Sequence, residues 1–196
     1  MTGVRQSRLL PILRSETQAR LLAALLLDPK RETSLADLAH ETESDPGNLQ
    51  REAERLVGAG ILIDRRVGRT RLLRDARGDL SRPLADLLLP IYGPKPLLER
   101  ALTGLTGIDS AWLFGSWAAR YRGIAGPPPA DIDLLIVGSP DRGEVDDAAT
   151  ALGARLRRDI QTTFRSLASW RADPPDPFVA TLRTSPLVRL IMDGAA

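Results

Sequence analysis

The N-terminal part of the chain carries apolar side chains at the three- and four-residue spacing of amphipathic helices. Ser15 is an N-cap candidate for a first helix over about 16–27. Ser34 can cap a short second helix. A third helix is expected from Asp45, a further cap candidate that precedes a proline at the first helical position, to about Ala59. The pattern therefore predicts three consecutive helices.

The third predicted helix divides into an apolar and a polar face. Its apolar stripe consists of Leu49, Ala53, Leu56 and Val57. The side chains expected toward solvent are Asn48, Gln50, Arg51, Glu54 and Arg55. Two strand-like segments follow, over 61–64 and 70–74, on either side of the glycine-containing connection Val67-Gly68-Arg69. These segments predict a β-hairpin after the third helix.

A helical segment interrupted by prolines, over 81–98, is expected to join this region to the rest of the chain. It begins at the cap candidate Ser81, and its apolar face consists of Leu84, Leu87, Leu88 and Ile91. This face can pack on the first helix or on the same elements of a second chain. A homodimer is therefore a hypothesis, which light scattering can test.

The second half of the chain alternates apolar strands with helices. A strand over 111–114 ends at Gly115-Ser116, which opens a helix, and a second strand starts at Asp131. The remaining predicted elements are a strand over 158–164, a helix over about 177–184 and a terminal strand over 187–191. This order predicts a mixed α/β sheet, and the predicted fold class of the whole chain is α+β.

Composition limits the possible chemistry. The chain has 196 residues, 43% hydrophobic and 27% charged, without cysteine and with one histidine, His40. Disulfides, thiolate catalysis and cysteine-rich zinc sites are excluded, and His40 is expected only to cap or flank the second helix. Apolar runs are far shorter than the roughly 20 residues of a membrane span, and no secretion signal is recognisable. We expect a cytoplasmic protein that does not enter a membrane.

Positive charge is concentrated in the predicted hairpin. Residues 1–78 carry 14 basic and 11 acidic side chains, whereas residues 83–196 carry 12 and 13. Six arginines face one acidic residue, Asp75, over 65–77; they are Arg65, Arg66, Arg69, Arg71, Arg74 and Arg77. This cluster is the densest basic patch in the sequence, and such a patch is typical of nucleic-acid-binding surfaces.

Three helices followed by a basic hairpin resemble the ArsR-like winged helix-turn-helix regulators, over roughly 8–78. The resemblance implies that the third helix enters the major groove of double-stranded DNA and that the hairpin contacts phosphates. The residues it places at base edges are Asn48, Gln50 and Arg51. The residues it places at phosphates are Arg65, Arg66, Arg69 and Arg71. The alternative is a protein-interaction or dimerisation module with solvated arginines.

Chemistry is concentrated in Gly115-Ser116 and in Asp131-Ile132-Asp133. A strand that ends in Gly-Ser and opens a helix presents backbone amides and a hydroxyl, which suit a phosphate. Because side chains alternate along a strand, Asp131 and Asp133 project to the same side. Magnesium prefers one or two carboxylates together with phosphate oxygens. The two motifs therefore suit a metal-bound nucleoside triphosphate.

These motifs resemble the minimal nucleotidyltransferases of the DNA polymerase β superfamily, over about 97–192. The resemblance implies that Gly115 and Ser116 hold the triphosphate, that Asp131 and Asp133 bind Mg²⁺, and that 123–129 forms a loop above the site. The family's third carboxylate lies on a later strand, where this sequence has Gln161. Asp159 lies on the same face but one residue pair away, which is about 6.6 Å along the strand. A ligand-sensing domain and an active transferase both remain open.

The sequence thus predicts three regions, a winged helix over 1–78, a helical linker over 79–96 and a nucleotidyltransferase-like domain over 97–196. The expected function is a DNA-binding transcriptional regulator whose second domain binds a magnesium nucleotide. The alternative is an active nucleotidyltransferase that transfers a nucleoside monophosphate to a protein, small-molecule or nucleic-acid hydroxyl, with the winged helix recruiting the acceptor. A toxin or antitoxin component is a third interpretation.

Overall fold

The computed structural model describes residues 12–126 and 128–190. The chain forms two compact units, and the division falls between Gly93 and Pro94. Residues 79–96, which we expected to be a linker, contain one helix of the first unit and the start of a helix of the second. No helix in the described ranges is long and apolar enough to cross a membrane.

The first unit contains four helices and a small antiparallel sheet within its described residues. Its elements are α1 (Glu16–Leu26), β1 (Glu32–Ser34), α2 (Leu35–Glu41), α3 (Pro46–Gly58), β2 (Leu62–Val67), β3 (Thr70–Asp75) and α4 (Ser81–Tyr92). The strand order is β1-β3-β2. Three of the four predicted caps form, because Ser15, Ser34 and Asp45 each accept a hydrogen bond from a backbone amide in the first turn of their helix.

The core of the first unit forms between helices α1, α3 and α4. Four leucines of α1 are almost completely buried, namely Leu21, Leu22, Leu25 and Leu26. Helix α4 packs on α1 and buries Ala85, Leu88 and Leu89. Ser81 is not the N-cap that we expected, because its hydroxyl donates to the buried carboxylate of Asp75 at 2.5 Å. Helix α4 therefore belongs to the first unit.

The second unit is a four-stranded sheet with helices. Its elements are α5 (Pro94–Leu102), β4 (Ile108–Phe114), α6 (Gly115–Tyr121), β5 (Ile132–Gly138), α7 (Arg142–Leu156), β6 (Ile160–Arg165), α8 (Leu167–Arg171), α9 (Pro177–Thr184) and β7 (Val188–Arg189). The strand order is β6-β5-β4-β7, in which β5 and β6 are parallel and the other pairs antiparallel. Helix α7 is the crossover that a parallel pair needs.

Alternation along β4 and β5 gives the sheet two different faces. Ala111 and Leu113 point to one face and are fully buried. Trp112 and Phe114 point to the other face, where Leu135 and Val137 join a cluster with side chains of α8 and α9. Both faces are therefore covered, so β5 is almost entirely apolar after Asp133.

Several elements differ from the prediction. Strand β1 precedes α2, so the first unit does not begin with three consecutive helices. Helix α7 and the short helix α8 were not among the predicted elements. The terminal strand is shorter than predicted, and Ile191 lies outside the described residues. In the predicted loop 123–129, the described residues form neither helix nor strand, and Pro127 is outside the description.

Candidate functional site

Helices α2 and α3 form a helix-turn-helix. The turn between them includes Glu43 in the left-handed region, at φ 49°, and ends at the N-cap Asp45. The Asp45 carboxylate accepts a hydrogen bond from the backbone amide of Asn48 at 2.8 Å. This cap fixes the start of α3, so it sets which residues of the first two turns face outward.

The structure leaves the predicted base-reading residues exposed on the first two turns of α3. Asn48, Gln50 and Arg51 are all exposed, whereas Leu49 and Ala53 are fully buried on the opposite face. Arg51 donates to the amide oxygen of Asn48, and Gln50 donates to the carboxylate of Glu54 at 3.0 Å. These bonds hold the exposed side chains along the helix in the unbound chain.

Glu52 of α3 is buried, which the helical pattern did not indicate. It is 7% exposed, and one carboxylate oxygen lies 3.0 Å from the guanidinium of Arg55. The spacing of three residues between the two places them on neighbouring positions of the helix. The burial of a charged residue at the edge of an apolar stripe is hard to predict from sequence, because long charged side chains are exposed in most proteins.

The hairpin β2–β3 is the predicted wing, and three of its arginines pair with acidic side chains, the third being Arg74 at 4.0 Å from Glu32. The guanidinium of Arg65 lies 2.7 Å from Glu32 of β1. Hydrogen bonds from Arg65 lower the pKa of the Glu32 carboxylate. Arg71 lies 2.6 Å from Asp64 and 3.9 Å from Glu54, so it connects the wing with α3. Arg65 and Arg71 were predicted to contact phosphates, and in this structure they contact carboxylates.

Arg66 and Arg69 are the exposed cations of the wing tip. No carboxylate of the described residues lies within ion-pair distance of either guanidinium. Gly68, at φ 59°, allows the tight turn that carries Arg69. Arg77 lies at the base of the hairpin instead, where it donates to the carbonyl of Pro29 at 3.0 Å.

The structure also brings Gly115 and Asp133 together in the second unit. Phe114 of β4 is the register partner of Asp133 of β5, so Gly115 begins α6 directly beside that carboxylate. Gly115 has φ 65°, and a Cβ at this position would overlap the Asp133 side chain. Glycine is needed here for two reasons, its left-handed backbone and the close approach of the carboxylate. Ser116, the next residue, is exposed.

Asp131 and Asp133 differ in environment. Asp131 is exposed, whereas Asp133 is half-buried between neighbouring strands. Burial, and secondly the charge of Asp131, raise the pKa of the Asp133 carboxyl. A cation bound between the two carboxylates would stabilise their ionised forms and so oppose both the burial and the repulsion. The pair is thus a candidate ligand set for a single divalent cation.

Gln161 lies next to Asp133 in the register of the parallel strands. The structure thus has an uncharged amide residue beside Asp133. The backbone carbonyl of Asp159 accepts a hydrogen bond from the backbone amide of Ile132 at 2.9 Å. In the described part of the chain, no three histidine or acidic side chains cluster as metal ligands. Two carboxylates fit one Mg²⁺ carried by a phosphate, but they do not fit two metal ions.

Arg158 supports the segment that leads into Asp131. Its guanidinium donates to the carbonyls of Pro129 and Ala130, the latter at 3.3 Å, and lies 5.5 Å from the ring centroid of Trp117. Its backbone partners precede it by more than 25 residues, so no local signal could have revealed them.

Neither the family models nor the curated proteins contain a match to this chain. Among solved structures, a mutant of ZitR from Lactococcus lactis is 17% identical, with a TM-score of 0.32, over 37% of this chain and 49% of that one. The adhesin competence repressor AdcR from Streptococcus pyogenes is 18% identical, with a TM-score of 0.36, over 45% of this chain and 65% of that one.

A third solved structure is the homodimeric winged helix-turn-helix DNA-binding domain of a possible ArsR-family regulator from Mycobacterium bovis. It is 21% identical, with a TM-score of 0.31, over 46% of this chain and 89% of that one. The chain spans about half the length of the ZitR chain and less than two thirds of the AdcR chain. The fold assignment rests on this chain's own topology. The first unit is a winged helix-turn-helix, in which helices α2 and α3 are followed by the two-stranded wing β2–β3.

Proposed function

We propose that the first unit binds double-stranded DNA, with α3 in the major groove and the wing tip on the phosphate backbone. The observation that carries the proposal is the set of exposed polar side chains on α3, together with Arg66 and Arg69, which have no carboxylate partner among the described residues. An α-helix fits the width of the major groove, where amide and guanidinium groups distinguish bases. Cations on the wing supply affinity that is independent of sequence.

The hydrogen bonds on α3 suit this role because they can be exchanged. Asn48, Gln50 and Arg51 are exposed, so their side-chain hydrogen bonds compete with water and contribute little to folding. Base edges offer the same amide and guanidinium groups better-matched partners in a bidentate geometry. Arg71 keeps Glu54 and Asp64 partly neutralised, which reduces their repulsion of phosphate. Phosphate contacts by Arg65 and Arg71 remain predictions, since they require these ion pairs to open.

Selection of bound duplexes from a random-sequence pool tests the role of α3. The wild-type chain is expected to enrich a recurring motif, and Gln50→Ala is expected to relax the preference at one position by roughly 1–3 kcal/mol. Arg82→Ala is the matched control, because Arg82 is an exposed helical cation outside the proposed interface. Binding without any enriched motif would contradict base reading by α3, and no binding at all would favour a protein-interaction module.

A second candidate function is the binding of one magnesium nucleotide by the second unit. It is favoured by Gly115, whose missing side chain leaves the Asp133 carboxylate at the start of α6. We infer that Asp131 and Asp133 would hold the cation and that the exposed backbone and hydroxyl of Gly115 and Ser116 would meet the phosphates. The bound metal would neutralise phosphate charge. Gln161 cannot accept a proton from an attacking hydroxyl, so the inference does not extend to catalysis.

Thermal unfolding with each nucleoside triphosphate, with and without Mg²⁺, tests this second function. Ligand at about 100 times its dissociation constant adds roughly 2.7 kcal/mol to the free energy of unfolding, so binding should raise the Tm clearly. The rise should require Mg²⁺ and should disappear in Asp131→Ala/Asp133→Ala. Asp159→Ala is the control, since it removes an exposed carboxylate of the neighbouring strand end. A rise that persists in the double variant would refute the assignment.

A further inference from the structure

A cleft of about 560 Å³ opens in the second unit, away from the Gly115 and Asp133 pair. Its lining includes Asp109, Trp112, Trp170, Arg171, Arg183 and Arg189, but neither Asp131 nor Asp133. Trp112 is two residues before Phe114 on β4, which separates the cleft from the carboxylates by about 6.6 Å along the strand. The volume lies within the range of small-molecule sites, which is roughly 300–1,000 Å³.

Two tryptophans supply the aromatic surface of this cleft. Trp112 and Trp170 have ring centroids 6.1 Å apart and an angle of 35° between their planes. Both are partly exposed, so they keep ring surface available to a ligand. The indole nitrogen of Trp112 donates to the Ser110 hydroxyl at 3.0 Å, which fixes the ring orientation. The structure therefore holds a prepositioned stacking surface.

Three arginines surround the rings, and one acidic side chain, Asp109, opposes them. The guanidinium of Arg189 lies 5.7 Å from the ring centroid of Trp112. Arg183 donates to the carbonyls of Trp170 and Ala172, the latter at 3.3 Å, and this orients its remaining donors. Arg171 follows Trp170 directly and is exposed, as is Arg189. The cleft is therefore cationic as well as aromatic.

We propose that this cleft binds a planar aromatic anion, a ring that carries a phosphate or a carboxylate group. The ring would stack on Trp112 or Trp170, and the anionic group would meet Arg171 and Arg189. Stacking on an aromatic side chain and a charge-assisted hydrogen bond each favour such a ligand over a neutral ring or a bare anion. The cleft shares no lining residue with the magnesium nucleotide site, so variants of each site test the two separately.

The test uses the indole N–H signals in a nuclear magnetic resonance spectrum of the full-length chain. The sequence contains three tryptophans, and Trp117 is buried at 2% exposure outside the cleft. Two matched probe sets, both in EDTA, distinguish the sources of the ligand. The first consists of AMP, adenosine and ribose 5-phosphate, and the second of benzoate, benzamide and acetate. Trp112→Phe and Trp170→Phe assign the signals.

We expect AMP, benzoate or both to shift the Trp112 and Trp170 signals saturably and to leave the Trp117 signal in place. The neutral ring and the ring-free anion of the same set should bind about tenfold more weakly, as loss of a charge-assisted bond implies. Arg189→Gln should weaken binding by a similar factor. Arg142→Gln is its matched control, since Arg142 lies 5.0 Å over the Phe164 ring but outside the cleft.

Response to AMP alone identifies a nucleotide as the ligand type, and response to benzoate alone identifies an aromatic carboxylate. The proposal is refuted if neither probe shifts the two signals, or if adenosine and benzamide bind as tightly as their anionic counterparts. Asp131→Ala/Asp133→Ala should leave the shifts unchanged. Loss of the shifts in that double variant would also refute the proposal, because binding would then belong to the carboxylate pair.

Discussion

Gly115 shows how one residue can join two motifs that are far apart in sequence. Its left-handed backbone starts α6, and its lack of a side chain admits the Asp133 carboxylate. The sequence could predict that glycine and aspartate share a site, since both belong to the resemblance described above. It could not predict direct contact, because that depends on the register of β4 with β5.

Gly115→Ala is expected to destabilise the second unit more than Gly123→Ala does. Both glycines have positive φ, 65° and 74°, so both substitutions cost roughly 1–2 kcal/mol of backbone strain. Only at residue 115 would the new Cβ also overlap a side chain, that of Asp133, whereas residue 123 faces open space. Thermal denaturation of the two variants measures the difference. Equal losses of stability would show that the close approach to Asp133 is unimportant.

Asp133→Asn is expected to raise the Tm at neutral pH in the absence of metal. The pKa of Asp133 is raised in the folded chain by burial and by Asp131, so its charged form is less favourable there than in the unfolded chain. That penalty is present above the folded-state pKa and vanishes below the unfolded-state value. The Tm difference between variant and wild type should therefore shrink as the pH falls.

Denaturation scans across the acidic range in EDTA provide this measurement. Asp159→Asn is the control, because that carboxylate is exposed and its replacement should change stability little. A lower Tm for Asp133→Asn at neutral pH would mean that the ionised carboxylate stabilises the fold, contrary to the argument.

At the scale of elements, the caps of the first three helices were predictable and a partner-dependent strand was not. Ser15, Ser34 and Asp45 each form the cap that the sequence indicated, since a cap needs only its own first turn. Strand β1 has three residues and exists through pairing with β3, which lies about 40 residues later. Helix α7 was missed because its apolar residues are mostly alanine, apart from Val145, Leu152 and Leu156.

The wing illustrates the same limit for a functional element. Its arginine cluster is evident in the sequence. Only the structure separates Arg65 and Arg71, which pair with acids, from the wing-tip arginines Arg66 and Arg69, which have no acidic partner within the described ranges. Glu32 is distant in sequence from Arg65 and reaches it through β1. The available charge of the wing is thus smaller than the count of arginines suggests.

At the scale of the whole molecule, the chain joins a winged helix-turn-helix to a mixed sheet that carries two candidate ligand sites. The carboxylate site was predictable because its residues form short motifs. The tryptophan and arginine cleft was not, since it assembles residues of β4, α8, α9 and β7.

The homodimer stays a prediction. Of its proposed apolar face, Leu88 is buried within the unit and Leu87 is 36% exposed.

The dependence of DNA affinity on salt concentration tests the central claim most directly. The logarithm of the binding constant should fall linearly with the logarithm of salt concentration, and each phosphate contact contributes about 0.9 to the slope. Arg66→Ala/Arg69→Ala should make the slope shallower by about 2, because two phosphate contacts are lost. Arg100→Ala, an exposed cation of α5, should leave it unchanged. A slope that is the same in all three proteins, or binding that is insensitive to salt, would contradict DNA binding through the wing.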